Sequence, residues 1–231
     1  MFTLSPLESE ALAISLRVAT LSVAVSLPFG LLTAWLLARG RFYGKAVLNG
    51  LVHLPLVLPP VVVGYLLLLL LGRQGPLGRW LFDSFGISLP FTWQGAALAA
   101  AVMAFPLMVR AMRLSLESVD RRLEAAARTL GAPPAGVFLT VTLPLMSPGI
   151  LVGILLAFAR SLGEFGATIT FAGNIPGQTR TIPTAIFSYI QSPGGEGPAL
   201  RLAAVSLLLS LLALLLSEFL ARRVAKRLGR R

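Results

Sequence analysis

Of the 231 residues, 56% are hydrophobic and only 13% charged, about half the charged share of an average soluble domain, and the mean hydropathy is +0.83. There is no cysteine and His53 is the single histidine, which excludes disulfides, thiolate chemistry and a multi-histidine metal site within one chain. The net charge of +11 would suit a nucleic-acid partner, but the placement of the charges points elsewhere.

Five apolar stretches follow one another: Ala11–Ala38, Leu51–Leu71, Thr92–Met112, Gly149–Ala172 and Leu202–Leu220. Each has about 20 residues or more, the length that carries a helix across a hydrocarbon core of roughly 30 Å. The chain therefore reads as an all-α polytopic membrane protein with five transmembrane helices in one domain, residues 1–231. The first stretch is too long for a secretory signal and has no basic segment before it. Arg17, near one end of that span, has a stem long enough to reach the headgroups.

The second span contains Pro55, Pro59 and Pro60, the first Pro28 and the third Pro106. An interior proline removes a backbone hydrogen bond and bends its helix, and membrane helices accept this where neighbours or water satisfy the freed carbonyls. The Pro59–Pro60 pair is the sharpest such signal. Two readings of it are open, a static kink that improves packing and a bend that lines and gates a pathway. His53, at the start of the same span, has no serine partner at a motif spacing and reads as structural or interfacial.

Between the third and fourth spans lies EAAARTLGAPPAGVFLTVTLP, residues 124–144. Val119, Leu123, Ala126, Ala127 and Leu130 fall on one face of a helix over 119–130. Ser118 is the expected N-cap, Asp120 and Glu124 favour the N-terminal end, and Gly131 with Pro133 and Pro134 stops the helix. An amphipathic helix lying on the membrane surface would explain this face, but not the Gly131, Leu143, Pro144 continuation.

In the fourth span Arg160 and Glu164 are four residues apart, so they share a helix face in a region where an unpaired charge is costly. An ion pair satisfies both groups. Alternatively, Arg160 attracts an anion and Glu164 keeps it from binding tightly. Ser161, Gly163, Gly166 and Thr168 suit close packing or a wet pathway. Residues 72–91 and 173–201 read as loops, the second holding the short apolar run Ile182–Ile190, either a re-entrant or surface helix or a loop anchor. No P-loop, H-E-x-x-H or G-x-S-x-G is present, so nothing supports an intramembrane enzyme, and no catalytic residue or metal ligand is assigned.

The 124–144 segment resembles the EAA loop of bacterial ABC-importer permeases. The segments SLPFGLLTAWLLAR (26–39), HLPLVLPPVVVGYLLL (53–68), FPLMVRAMRLSLESVD (105–120) and FARSLGEFGATITFAGNIPGQTRTIPTAI (158–186) extend the resemblance from about Ser15 to Arg222, toward molybdate ABC-transporter permeases. The resemblance implies a homodimeric type I ABC-importer permease fold in the bacterial inner membrane. It implies three partners besides lipid: a second copy of the chain, a cytoplasmic ATPase dimer and an extracytoplasmic oxyanion-binding protein. ATP and magnesium would sit on the ATPase, and no cofactor on this chain. Glu124, Ala125, Ala126, Gly131, Leu143 and Pro144 would couple to the ATPase, with Pro59, Pro60, Arg160, Ser161 and Glu164 as candidates for the pathway or gate. The cargo would be molybdate or tungstate, with a sulfate or thiosulfate permease as the alternative.

A cytoplasmic EAA loop puts 14 of the 20 basic residues in segments 39–50, 110–145 and 222–231, on the inner side. That asymmetry follows the positive-inside rule and leaves nothing for nucleic acid to explain. The N-terminus is then outside and the C-terminus cytoplasmic. Single cysteines at Ser84, Ser118 and Ser192, probed with an impermeant thiol reagent on intact cells, check this. Positions 84 and 192 should label and 118 should not, and the reverse pattern would invert the topology.

Overall fold

The computed structural model describes residues 4–227, so the end of the basic tail, 228–231, lies outside the described residues. Among these residues the regular structure is entirely helical. Helix α1, Pro6–Arg39, starts with a capping box in which Ser5 and Glu8 satisfy each other's backbone N–H groups. Helices α2, Lys45–Val57, and α3, Pro60–Leu71, are followed by α4, Pro76–Phe85, and α5, Trp93–Glu117. Thr92 caps α5 by accepting from Gly95 N–H. After the short α6, Arg121–Thr129, come α7, Pro134–Val137, a π-helical turn over Phe138–Thr142, and α8, Leu143–Leu162. The remaining helices are α9, Gly166–Ala172, α10, Ile182–Ile190, and α11, Glu196–Arg227.

Four helical segments are long and apolar enough to cross a membrane: Pro6–Arg39, Trp93–Glu117, Pro134–Leu162 and Glu196–Leu220. A fifth crossing exists only if α2 and α3 count as one span bent by 117°. The expected second span, 51–71, is thus not one kinked helix but two helices. Residues before a proline are pushed out of the helical region, and here two follow in succession. Leu58 (φ −71°, ψ 142°) and Pro59 (φ −55°, ψ 132°) are both extended. The expected fourth span, 149–172, is also broken. Its helix begins earlier, at Pro134, and stops at Leu162, and α9 resumes after Gly163–Phe165. The loop expected over 72–91 contains α4, and Ile182–Ile190 forms a helix whose Ile182 and Ala185 are buried with Ala11 and Leu202.

Helix α5 is the centre of the bundle. Two-thirds of its most apolar window is buried (67%), because Ala96, Ala97, Ala99, Ala100, Ala101 and Ala104 let neighbouring backbones approach. Met108, Met112 and Leu116 lower on α5 fill the space between α1 and α8, against Leu37, Ala34 and Met146. The first turns of α1 and α11 are tied together by Glu8, fully buried, whose Oε1 accepts from Nε and Nη2 of Arg201, each at 3.0 Å. This two-point contact across 193 residues fixes one end of the bundle.

Candidate functional site: a pinned loop and two facing helix breaks

The loop between α5 and α8 is built by local chemistry. Ser118 ends α5 rather than starting α6, and the N-cap is Asp120, whose Oδ1 accepts from Arg122 N–H at 2.9 Å. That corrects the expected cap and shortens the expected 119–130 helix to Arg121–Thr129. Asp120 wins because Val119 is buried against the α5 core, which leaves the turn to the next polar residue. At the other end Ala132 N–H bonds to Ala127 C=O and Gly131 N–H to Arg128 C=O, the paired closure of a Schellman motif. Gly131 takes φ +84°, where an L side chain is strained, so the glycine is required as expected.

The face of α6 is the reverse of a self-contained amphipathic helix. Leu123 and Leu130 are 49% and 89% exposed, and Ala125 and Ala126 are exposed too. The buried residue is Glu124. Its Oε1 receives Arg39 Nη2 at 3.0 Å and Thr142 Oγ1 at 2.8 Å, and Arg128 Nη2 stands 4.0 Å from Oε2. Arg39 also reaches Leu116 C=O at 3.5 Å. One carboxylate therefore pins α6 to the end of α1 and to the π turn before α8, and Arg39 extends the contact to α5. In the sequence Arg39 reads only as a positive charge, and nothing singles out Thr142. Their partner is 85 and 18 residues away, and no local pattern announces such pairings.

Leu143 and Pro144 are not loop residues but the first turn of α8. Pro144 has no N–H for Thr140 C=O and its ring crowds that carbonyl. The backbone widens instead, and Leu143 N–H bonds to Phe138 C=O, five residues back. The widened turn carries Thr142, buried, toward Glu124. Pro144 thus shapes the strut that holds Glu124.

The candidate pathway residues meet at a second place. Arg160 Nη1 lies 2.6 Å from Glu164 Oε2, yet Glu164 is beyond the end of α8, whose C-cap is Gly163. The two therefore do not share the face of one continuous helix. Glu164, 2% exposed, uses Oε1 to accept Ala167 N–H at 2.9 Å, closing the first turn of α9. Ser161 is bound to Ser22 of α1, Oγ to Oγ, at 2.9 Å. The break after α8 faces the break after α2. A Cβ on Gly166 would fall 2.7 Å from Pro60 Cβ, and one on Gly64 would fall 2.7 Å from Ala167 C=O. Only hydrogen fits at these two positions, so α3 and α9 lie backbone to backbone. The structure brings Pro59 and Pro60 together with the Glu164 break, and it keeps both apart from the Glu124 cluster. Among the described residues no group of acidic, histidine or cysteine side chains is arranged to hold a metal ion.

Residues 26–226 match the family model for the binding-protein-dependent transport system inner membrane component. The chain belongs to this family. It is 62% identical over 223 residues to the molybdenum transport system permease protein ModB of Escherichia coli (strain K12), covering 96% of this chain and 97% of that one. The Haemophilus influenzae protein of the same name is 57% identical over 223 residues, with the same coverage. Among solved structures, a bacterial ABC transporter involved in the import of the acidic polysaccharide alginate superposes with a TM-score of 0.71 at 18% identity, over 95% of this chain and 80% of that chain. This family member has the fold of ABC-importer permeases, with helical regular structure throughout the described residues and the 124–144 segment between two long helices.

The Glu124 cluster predicts a measurable coupling. Arg39→Met leaves a buried carboxylate with only the exposed Arg128 at 4.0 Å and should cost about 3 kcal/mol, whereas Arg39→Met combined with Glu124→Gln should recover a substantial part. Unfolding of purified single and double variants should show an interaction energy of about 1–3 kcal/mol. Additive effects would mean that the pair does not hold the loop.

Proposed function

We propose that this chain is the membrane permease of an ATP-driven importer that carries molybdate, or tungstate, into the cytoplasm. The observation that carries the reading is the 62% identity, over nearly all of both chains, to a molybdenum transport permease. Two copies form the pathway between them, a cytoplasmic ATPase dimer supplies the energy, and an extracytoplasmic binding protein delivers the oxyanion. The N-terminus faces outside and the loop 113–145 faces the cytoplasm.

Chemistry supports a division of labour. Leu123, Ala126 and Leu130, exposed on one side of α6, form an apolar strip suited to a groove on the ATPase, with Ala125 exposed on the arginine-bearing side. The opposite side is locked by Glu124, so a displacement of α6 is passed to α1 and α8 rather than dissipated. ATP binding draws the ATPase subunits together and moves the paired coupling helices. The permease opens outward and accepts the dianion, and hydrolysis returns it to the inward-open state. The breaks at Pro59–Pro60 and Gly163–Phe165 are the places where short helices can reorient without breaking regular hydrogen bonding. Arg160 keeps part of its side chain accessible (29%), while Glu164 is held by Ala167 N–H as well as by Arg160. A passing dianion can engage Arg160 and leave Glu164 anchored, which gives attraction without a deep binding well.

The test is uptake into proteoliposomes holding the permease, its ATPase and its binding protein. Molybdate or tungstate should enter in strict dependence on ATP, with little sulfate. A preference for sulfate would make the chain a sulfate or thiosulfate permease, and uptake of a sugar or amino acid would remove the oxyanion altogether. In the same system Arg160→Ala should lower molybdate uptake at least tenfold, the effect of about 1.4 kcal/mol at a charged contact. Arg160→Ala with Glu164→Gln should fold yet remain inactive. Recovery of uptake by that double variant would mean that the pair is structural only.

A further inference from the structure

Two cavities meet beside the end of α1, and they differ in chemistry. One, about 310 Å³, is lined by Arg39, Arg121 and Arg128 with Glu124. Three guanidiniums stand there against one carboxylate. Glu124 is already committed to Arg39, and the Arg121 side chain makes no hydrogen bond or ion pair among the described residues. The other, about 450 Å³, has walls of Pro28, Leu31, Leu32, Trp35 and Phe138. Trp35, Pro134 and Phe138 line both. The joined volume thus has a cationic end at the level of α6 and an apolar end running along the face of α1, with a half-exposed tryptophan (42%) at the boundary.

We propose that this double cavity is a binding site for an anionic phospholipid, of the phosphatidylglycerol class. Its phosphate would lie among Arg121, Arg128 and the outer edge of Arg39, and one acyl chain would lie along Leu32 and Trp35. A soluble anion would use only the cationic cavity and leave the apolar one unfilled, and a zwitterionic lipid would leave the excess guanidinium charge unbalanced. Only an anionic amphiphile matches both ends at once. Basic residues at the cytoplasmic ends of membrane helices are where such headgroups concentrate, and tryptophan favours the same depth. That placement rests on the topology proposed above. The bound lipid would abut the Glu124 pin, so it would stiffen the loop from the side opposite the exposed face of α6.

The test needs neither transport nor the partner subunits. The chain has three tryptophans, and Trp80→Phe with Trp93→Phe leaves Trp35 as the only one. The full-length protein, in phosphatidylcholine vesicles, is titrated with lipid brominated on its acyl chains, and quenching of Trp35 is read. Brominated phosphatidylglycerol should reach half-maximal quenching at a mole fraction about fivefold or more below that of brominated phosphatidylcholine, the worth of roughly one arginine at an anionic headgroup. Arg121→Gln with Arg128→Gln should erase that preference. Arg122→Gln, on the same helix but outside the cavity, should keep it, which separates the pocket from net charge. Equal quenching by the two lipids in the parent would overturn the proposal, as would a preference that survives the double substitution or is lost equally with Arg122→Gln. Displacement of the brominated lipid by millimolar inorganic phosphate would make the site one for a free anion and would also overturn it.

Discussion

A carboxylate buried at the edge of a membrane bundle must be paired, because an isolated charge there costs several kcal/mol. Glu124 meets that requirement by recruiting partners from distant parts of the chain: Arg39 at the end of α1 and Thr142 in the π turn before α8. The need to satisfy one charge therefore dictates how the loop sits under the bundle. The Asp120 cap and the Schellman closure at Gly131 define a short rigid helix, and Glu124 decides which side of it faces inward. Leu123, Ala126 and Leu130 are left exposed on the side that Glu124 does not hold.

The same economy appears at the opposite end and in the middle. Glu8 and Arg201 tie the first turns of α1 and α11, and Glu164 satisfies both Arg160 and the opening turn of α9. Each buried acid closes a junction between helices rather than decorating a surface. Between these fixed points lie the breaks, at Pro59–Pro60 and at Gly163–Phe165, facing each other through Gly64 and Gly166. Rigid junctions at the ends with paired discontinuities in the centre make a bundle that can transmit a displacement and absorb it at a defined place.

What could be read from the sequence follows from what is local. The break at Pro59–Pro60 and the turn at Gly131 depend on a few consecutive residues and stand where the pattern puts them, whereas the second and fourth apolar stretches are each divided between two helices. The 117° bend was visible only as a kink, because the effect of two consecutive extended residues on direction depends on how α3 then packs. Glu164 was placed on a continuous helix because its spacing from Arg160 is helical, whereas Gly163 and the packing of α9 on α3 end α8 first. The helix Pro76–Phe85 escaped notice because its glycine and charges read as loop. Arg39 and Thr142 carry no signal at all in one sequence, because a long-range pairing has no period. The family relationship, by contrast, is legible because it is carried by segments spread over most of the chain, from the first span to the segment 158–186.

Held by Glu124, α6 and the π turn that leads into α8 form one rigid body. Because the native chain has no cysteine, spin labels can be placed cleanly at the exposed positions Arg122, off the apolar strip of α6, and Leu139. Pulsed dipolar distance measurement on the assembled importer, with and without ATP, then reports directly on that body. With labelled chains diluted in unlabelled ones so that only the distance within one protomer is read, that distance should be narrow and unchanged by ATP, and it should broaden when Glu124→Gln is introduced. A distance that shifts with ATP while Glu124 is intact, or one that stays narrow with Glu124→Gln, would contradict it.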